Sequence, residues 1–100
     1  MINVEFNKIL EEMKELHNRK NADYADNDPL SNLKLSQMAG IEPWRGVVVR
    51  LGDKYSRLCN FARKGKFEVK DENVEDTLMD NAIYSILCLI LYKSSLKKKK

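Results

Sequence analysis

The chain reads as an all-α protein, a small antiparallel bundle of about four helices. Three observations lead to that expectation. Apolar residues return every three or four positions over three long stretches, the interval at which one helical face repeats. Gly40, Pro43 and Gly65 stand where such stretches should stop or start. No alternation of apolar and polar residues lasts long enough to make a convincing strand.

The elements follow in chain order. Ile2, Phe6, Ile9, Met13 and Leu16 form one apolar stripe, with Glu5, Glu11, Glu12 and Glu15 on the other faces, so a first helix is expected over 2–19. Residues 20–30 contain Asn21, Asp23, Asp26, Asn27, Asp28 and Pro29. These are turn formers and predict a loop. A short helix over 31–39 is stopped by Gly40. Pro43 suits the first turn of a third helix, where its missing N–H is an orphan position anyway. That helix should run to Lys64 and stop at Gly65, with Val48, Leu51, Tyr55, Leu58 and Ala62 as its apolar face. Val47, Val48 and Val49 favour a strand locally, but the longer helical period outweighs them. After a connection over 66–71, the fourth helix is expected over 72–93. Its acidic start suits the helix dipole. Its second half, Ala82 to Leu91, is apolar nearly all round, which makes it the expected centre of the core.

At 100 residues, with 43% hydrophobic and 33% charged residues, the chain is expected to form one domain over 1–96. A disordered basic tail over 97–100 follows. The net charge of +3 comes from that tail: without its four lysines the 18 basic residues fall to 14, against 15 acidic ones, or −1. A body so near neutrality is not that of a nucleic-acid binder, and only the lysine tail offers such a contact. The start of the chain lacks the basic and apolar regions of a signal peptide, and no apolar run is long enough to span a bilayer. Cys59 and Cys88 lie within apolar helical patterns with no CxxC. This fits free thiols in a reducing cytoplasm. A bundle this short, with Trp44, Tyr92 and an apolar last helix, is expected to cover its surface by forming a homo-oligomer.

Two charged sets carry the candidate chemistry. Arg50, Asp53, Lys54 and Arg57 fall on one stripe of the third helix, and Glu72, Asp76 and Asp80 on one stripe of the fourth, since residues three or four apart are neighbours on a helix. Three stacked carboxylates repel one another unless a cation offsets them. Mg²⁺ is one such cation, taking one or two carboxylates with phosphate oxygens and water. Arginines across a helix contact are another, and the two readings stay open. Arginine grips phosphate in bidentate fashion. Asp53 and Asp76 are the candidate catalytic carboxylates, Glu72, Asp76 and Asp80 the candidate metal ligands, and Arg50, Lys54 and Arg57 the candidate phosphate contacts. The loop entry adds Lys20, Asn21 and Tyr24, which offer a cation, an amide and an aromatic ring to a nucleotide. His17 is assigned no role.

In order and spacing these pieces resemble the phage and bacterial nucleotide modification associated domain 1 family over roughly residues 17–92. Lys20-Asn21-x-Asp23-Tyr24 is similar to its Lys-Asn-x-x-Tyr entry, Arg50-Leu51-x-Asp53-Lys54-x-x-Arg57-Leu58 to its central helix, and Glu72-x-x-x-Asp76-Thr77-Leu78-x-Asp80-x-x-x-Tyr84 to its last helix. The resemblance implies an all-helical domain in phage nucleotide metabolism. A more distant similarity is to the all-helical MazG and dimeric dUTPase type of nucleoside triphosphate pyrophosphohydrolases, which bind Mg²⁺ through EExxE and ExxD motifs. Here Glu11-Glu12-Met13-Lys14-Glu15 lies on the first helix, and the last helix carries Asp76 and Asp80 without an ExxD. The expected function is a phage-type nucleotide-handling domain that binds a nucleoside phosphate, as a Mg²⁺-dependent phosphohydrolase if it is catalytic. The alternatives are a non-catalytic nucleotide-sequestering protein and a helical interaction module.

Overall fold

The structure, a computed structural model, describes residues 2–24, 31–66 and 73–98, and the side chains of these except 20–24, 31, 32 and 98. The chain is all-α. α1 is Val4–Tyr24, a 3-10 helix spans Ser31–Ala39, α2 is Pro43–Lys64 and α3 is Val74–Lys98, with no strand among the described residues. Packing divides it into two units, Met1–Asn32 and Leu33–Lys100. No helix among the described residues is long and apolar enough to cross a membrane.

In the first unit α1 begins on a side-chain cap. The Phe6 N–H donates to Asn3 Oδ1 at 3.0 Å, which satisfies one of the orphan donors of a helix start. The helix then continues to Tyr24, five residues beyond the expected end at Arg19. Lys20 to Tyr24, expected to enter a loop, instead form its last turn. The segment holds neither Gly nor Pro. The helix penalties of Asn and Asp are at most about 0.7 kcal/mol per residue, too little to stop a helix that is already propagating. The rest of the expected loop, 25–30, lies outside the described residues.

The second unit is built on an antiparallel pair, α2 and α3. Local chemistry sets the ends of α2. Pro43 opens it, and Gly65 closes it in the left-handed region at φ 74°, its N–H donating to the Phe61 carbonyl. Only glycine adopts that region without a Cβ penalty. α3 opens on Asn73, whose Oδ1 accepts the Glu75 N–H at 2.8 Å. It runs five residues past the expected end at Lys93, so the basic tail expected from residue 97 is helical at least through Lys98. Lysines suit the negative end of the helix dipole. Residues 99 and 100 lie outside the described residues, as do 67–72 of the connection.

The helices meet along a seam in which Trp44 of α2 lies against Cys88 and Tyr92 of α3, and Lys54 against Asp80 and Tyr84. The α2 side of the seam is Trp44, Val47, Leu51, Lys54, Leu58 and Phe61, all buried or half-buried. The spacing of three and four is that of a coiled-coil stripe. This corrects the expected face. Val47 is 1% exposed, whereas Val48 is 48% and Tyr55 65% exposed. The helix is turned by about one residue because this orientation buries the rings of Trp44 and Phe61, the larger apolar surfaces. On α3 the buried residues are Ile83, Leu87 and Leu91, while Ile86, Leu89 and Ile90 are exposed. Contrary to expectation, then, this helix is not enclosed by the core. α2 covers the stripe of Ile83, Leu87 and Leu91.

Candidate functional site

The charged stretch of the seam is where the expected site residues can be followed atom by atom. Lys54 occupies a seam position that an apolar residue would ordinarily fill. Its side chain is 20% exposed, and its Nζ stands 3.6 Å from Asp80 Oδ2 and 5.0 Å from the centroid of the Tyr84 ring. A lysine tolerates such a place by packing its aliphatic stem against apolar neighbours and directing its ammonium to a charge or a ring face. With Asp80 30% exposed, the pair is partly screened and contributes about 0–1 kcal/mol net.

Arg50 and Arg57 lie one turn to either side of Lys54 on α2, and both are exposed. At 100° per residue they flank the seam by about 40–60° from Lys54 on the same side. Asp53, also exposed, lies further round, about 100° away. Three cations thus line one edge of α2 over two turns. Facing them, Asp80 is half-buried, and Asp76, one turn earlier on α3, is exposed. Asp76 forms no ion pair with any described residue. It sits in the first turn of α3, where the helix dipole favours its charge.

The remaining expected residues are not brought to this place by anything described. Glu72 lies outside the described residues, and Lys20, Asn21 and Tyr24 belong to the last turn of α1, in the first unit, with side chains outside the description. No three His, Cys, Asp or Glu side chains among the described residues gather as a ligand set. Of the three expected metal ligands only Asp76 and Asp80 are described, a turn apart on α3, and Asp80 is paired with Lys54.

A second cluster, at the other end of the seam, was only partly legible. Trp44 donates its indole N–H to Glu42 Oε2 at 3.2 Å and meets Tyr92 edge to face, centroids 5.3 Å apart at 87°. The Arg45 guanidinium lies 4.4 Å over the indole and its Nε donates to Glu42 Oε1 at 3.3 Å. The indole is therefore held as a structural anchor and is not presented for stacking on a base. The signal was the spacing Glu42-x-Trp44-Arg45 around Pro43, which wraps an acid and a base onto one ring in the first turn. Beside it, the Cys88 thiol donates to the Trp44 carbonyl at 3.4 Å, and burial pushes this thiol above its ordinary value. Cys59 and Cys88 are both free.

No protein-family model, no curated protein and no solved structure matches the chain.

Proposed function

We propose that the chain is a nucleoside-phosphate-binding domain of the kind its motifs resemble, nucleotide modification associated domain 1, in which the charged stretch of the seam receives the phosphates. The observation that carries this reading is Lys54. It is half-buried between the Asp80 carboxylate and the Tyr84 ring, with exposed Arg50 and Arg57 on the adjoining turns. Guanidinium forks and an ammonium suit a polyphosphate, the first by bidentate hydrogen bonds and the second as a point charge. Asp76 and Asp80, with Glu72 as the further proposed ligand, would hold Mg²⁺, which supplies charge neutralisation at phosphate and an activated water. In the catalytic form of the proposal Asp53 and Asp76 supply the general base. In the non-catalytic form the same residues retain a nucleotide. Lys20, Asn21 and Tyr24 complete the proposed ligand set. The setting is the cytoplasm, that of the infected host if the protein is phage-borne. Exposed Val48, Val49, Leu89 and Ile90 support a second copy of the chain as partner.

A thermal-shift screen of nucleoside mono-, di- and triphosphates with and without Mg²⁺ tests the proposal. Metal-dependent stabilisation supports the Mg²⁺ form, and metal-independent stabilisation supports the sequestering form. By titration calorimetry Lys54→Ala should weaken nucleotide binding and spare Mg²⁺, while Asp76→Asn should weaken both. The Lys54–Asp80 contact itself favours a second reading, in which the charges only pair the helices of an interaction module. That reading holds if neither variant alters either affinity. Light scattering at micromolar concentration tests the second copy, and a monomer mass would refute it.

A further inference from the structure

α3 carries a second stripe, about 100° round from the centre of its buried residues Ile83, Leu87 and Leu91. Counted from Ile86, the residues Glu75, Met79, Ala82, Ile90, Lys93 and Lys97 all fall within about 40° of one line along the helix. Met79 and Ala82 are half-buried and the other five are exposed. We propose that this stripe is the face by which two copies of the chain pair, antiparallel, about a two-fold axis at Ile86. The pairing rests on the reading above that a second copy covers exposed apolar surface, and it specifies the face, the direction and the register.

The spacing of the stripe is the same read from either end. Its intervals are four, three, four, four, three and four, with Ile86 at the centre. Reversed and laid on itself, Ile86 meets Ile86 of the second copy, Ala82 meets Ile90, Met79 meets Lys93 and Glu75 meets Lys97. In a two-fold interface each unlike pair occurs twice. The stripe repeats every eleven residues, a period close to that of the α-helix itself, so it keeps to one face over roughly 33 Å.

The pairs are complementary in size and charge. Ala82 opposite Ile90 sets small against large, which lets the side chains interdigitate. The thioether of Met79 is an adaptable surface for the aliphatic stem of Lys93. At each end the Glu75 carboxylate meets the Lys97 ammonium, and neither residue forms an ion pair with any described residue. A parallel pairing would instead set Glu75 against Glu75 and Lys97 against Lys97, so charge decides the direction. The same charges point to the occupant. The stripe calls for a partner helix with base at one end, acid at the other and an apolar centre, and the stripe is itself such a helix. Exposed Leu78, Leu89 and Leu96 follow one edge, and an antiparallel two-fold brings that edge of both copies together, which widens the apolar contact. Asp80 and Tyr84, which meet Lys54, lie about 120–160° from the line of the stripe, so the pairing leaves the charged seam open.

Light scattering of the full chain at micromolar concentration should give the mass of a dimer. Ile86→Asp, at an exposed position and checked for retained helicity, should give the monomer. Glu75→Lys and Lys97→Glu should each weaken dimerisation about 2- to 30-fold, since each removes two ion pairs, and the two changes together should restore it. In a Cys59→Ser, Cys88→Ser background Ile86→Cys should cross-link on mild oxidation. Helix axes about 8–10 Å apart bring the two Cα atoms at the axis within reach of a disulfide. Lys97→Cys alone should not cross-link, because its two copies would stand roughly 33 Å apart. A dimer that survives Ile86→Asp, cross-linking through Lys97→Cys, or no rescue by the charge exchange would each overturn the antiparallel α3 pairing while a second copy remains bound elsewhere. A monomer mass for the unchanged chain would overturn the pairing and the second copy together.

Discussion

Val47 and Val48 are chemically identical neighbours on α2, and truncating each to alanine measures which face of the helix carries the fold. Val47 is 1% exposed. Removing its two methyl groups forfeits about 1.6 kcal/mol of transfer free energy at about 0.8 kcal/mol per carbon. The void adds roughly 1 kcal/mol, taking about 40 Å³ at about 24 cal/mol per Å³. Alanine returns about 0.6 kcal/mol through its better helix propensity. The net loss is about 2 kcal/mol, which for a domain near this size lowers Tm by about 8–16 °C. Val48 is 48% exposed, so about half of the transfer term, about 0.8 kcal/mol, is at stake. No cavity forms, and propensity offsets most of the loss, so Val48→Ala should be close to neutral. Urea titrations followed by far-ultraviolet circular dichroism give both values. If Val48→Ala costs as much as Val47→Ala, or more, the seam has been placed on the wrong face.

Three further outcomes are expected. Asn73→Ala removes the cap on α3 and should cost about 1 kcal/mol in the same urea assay, with Asn73→Asp recovering most of it. A double-mutant cycle on Lys54→Met and Asp80→Asn should give a coupling of about 0.2–1 kcal/mol that shrinks in molar salt. A coupling of zero would show that the 3.6 Å contact contributes nothing to the pairing of the two helices. For Cys88 the folded chain holds the thiol proton more tightly than the unfolded chain does. Its contribution to stability is therefore complete below the ordinary thiol value of 9.0 and is lost as pH rises above it through the raised folded value. In a Cys59→Ser variant, alkylation of Cys88 by iodoacetamide should have its pH midpoint above 9.0, and a midpoint at or below that value contradicts the burial.

The candidate site was legible in kind more than in arrangement. The spacing of Arg50, Lys54 and Arg57 puts them along one edge of α2, because helical geometry alone relates residues three or four apart. That Lys54 sits within the interface while the two arginines flank it depends on how α2 is turned against α3. The spacing alone sets Lys54 on one charged stripe with Arg50, Asp53 and Arg57 and does not single it out as the member that enters the interface. Asp76 and Asp80 read as equals in the sequence, yet among the described residues only Asp80 meets a cation across the seam. Of the Glu42, Trp44 and Arg45 cluster only Trp44 stood out in the sequence, because the contacts that join the three depend on side-chain directions in a first helical turn.

The sequence by itself determined the helical class of the chain and the limits of α2. Pro43 and Gly65 act through their own backbone restrictions, one locking φ and the other accepting the left-handed region, so no partner is needed to place them. The cap at Asn73 is equally local. Tertiary structure decided which face of each helix is buried. Two overlapping apolar stripes compete on α2, and the one that brings Trp44 against α3 and half-buries Phe61 prevails because it removes more apolar surface from water. It also decided that, within the stretch Ala82 to Leu91 that is apolar nearly all round, Ile83, Leu87 and Leu91 are buried while Ile86, Leu89 and Ile90 are exposed. Periodicity states what a helix is able to bury, and the number and position of its neighbours set what it does bury.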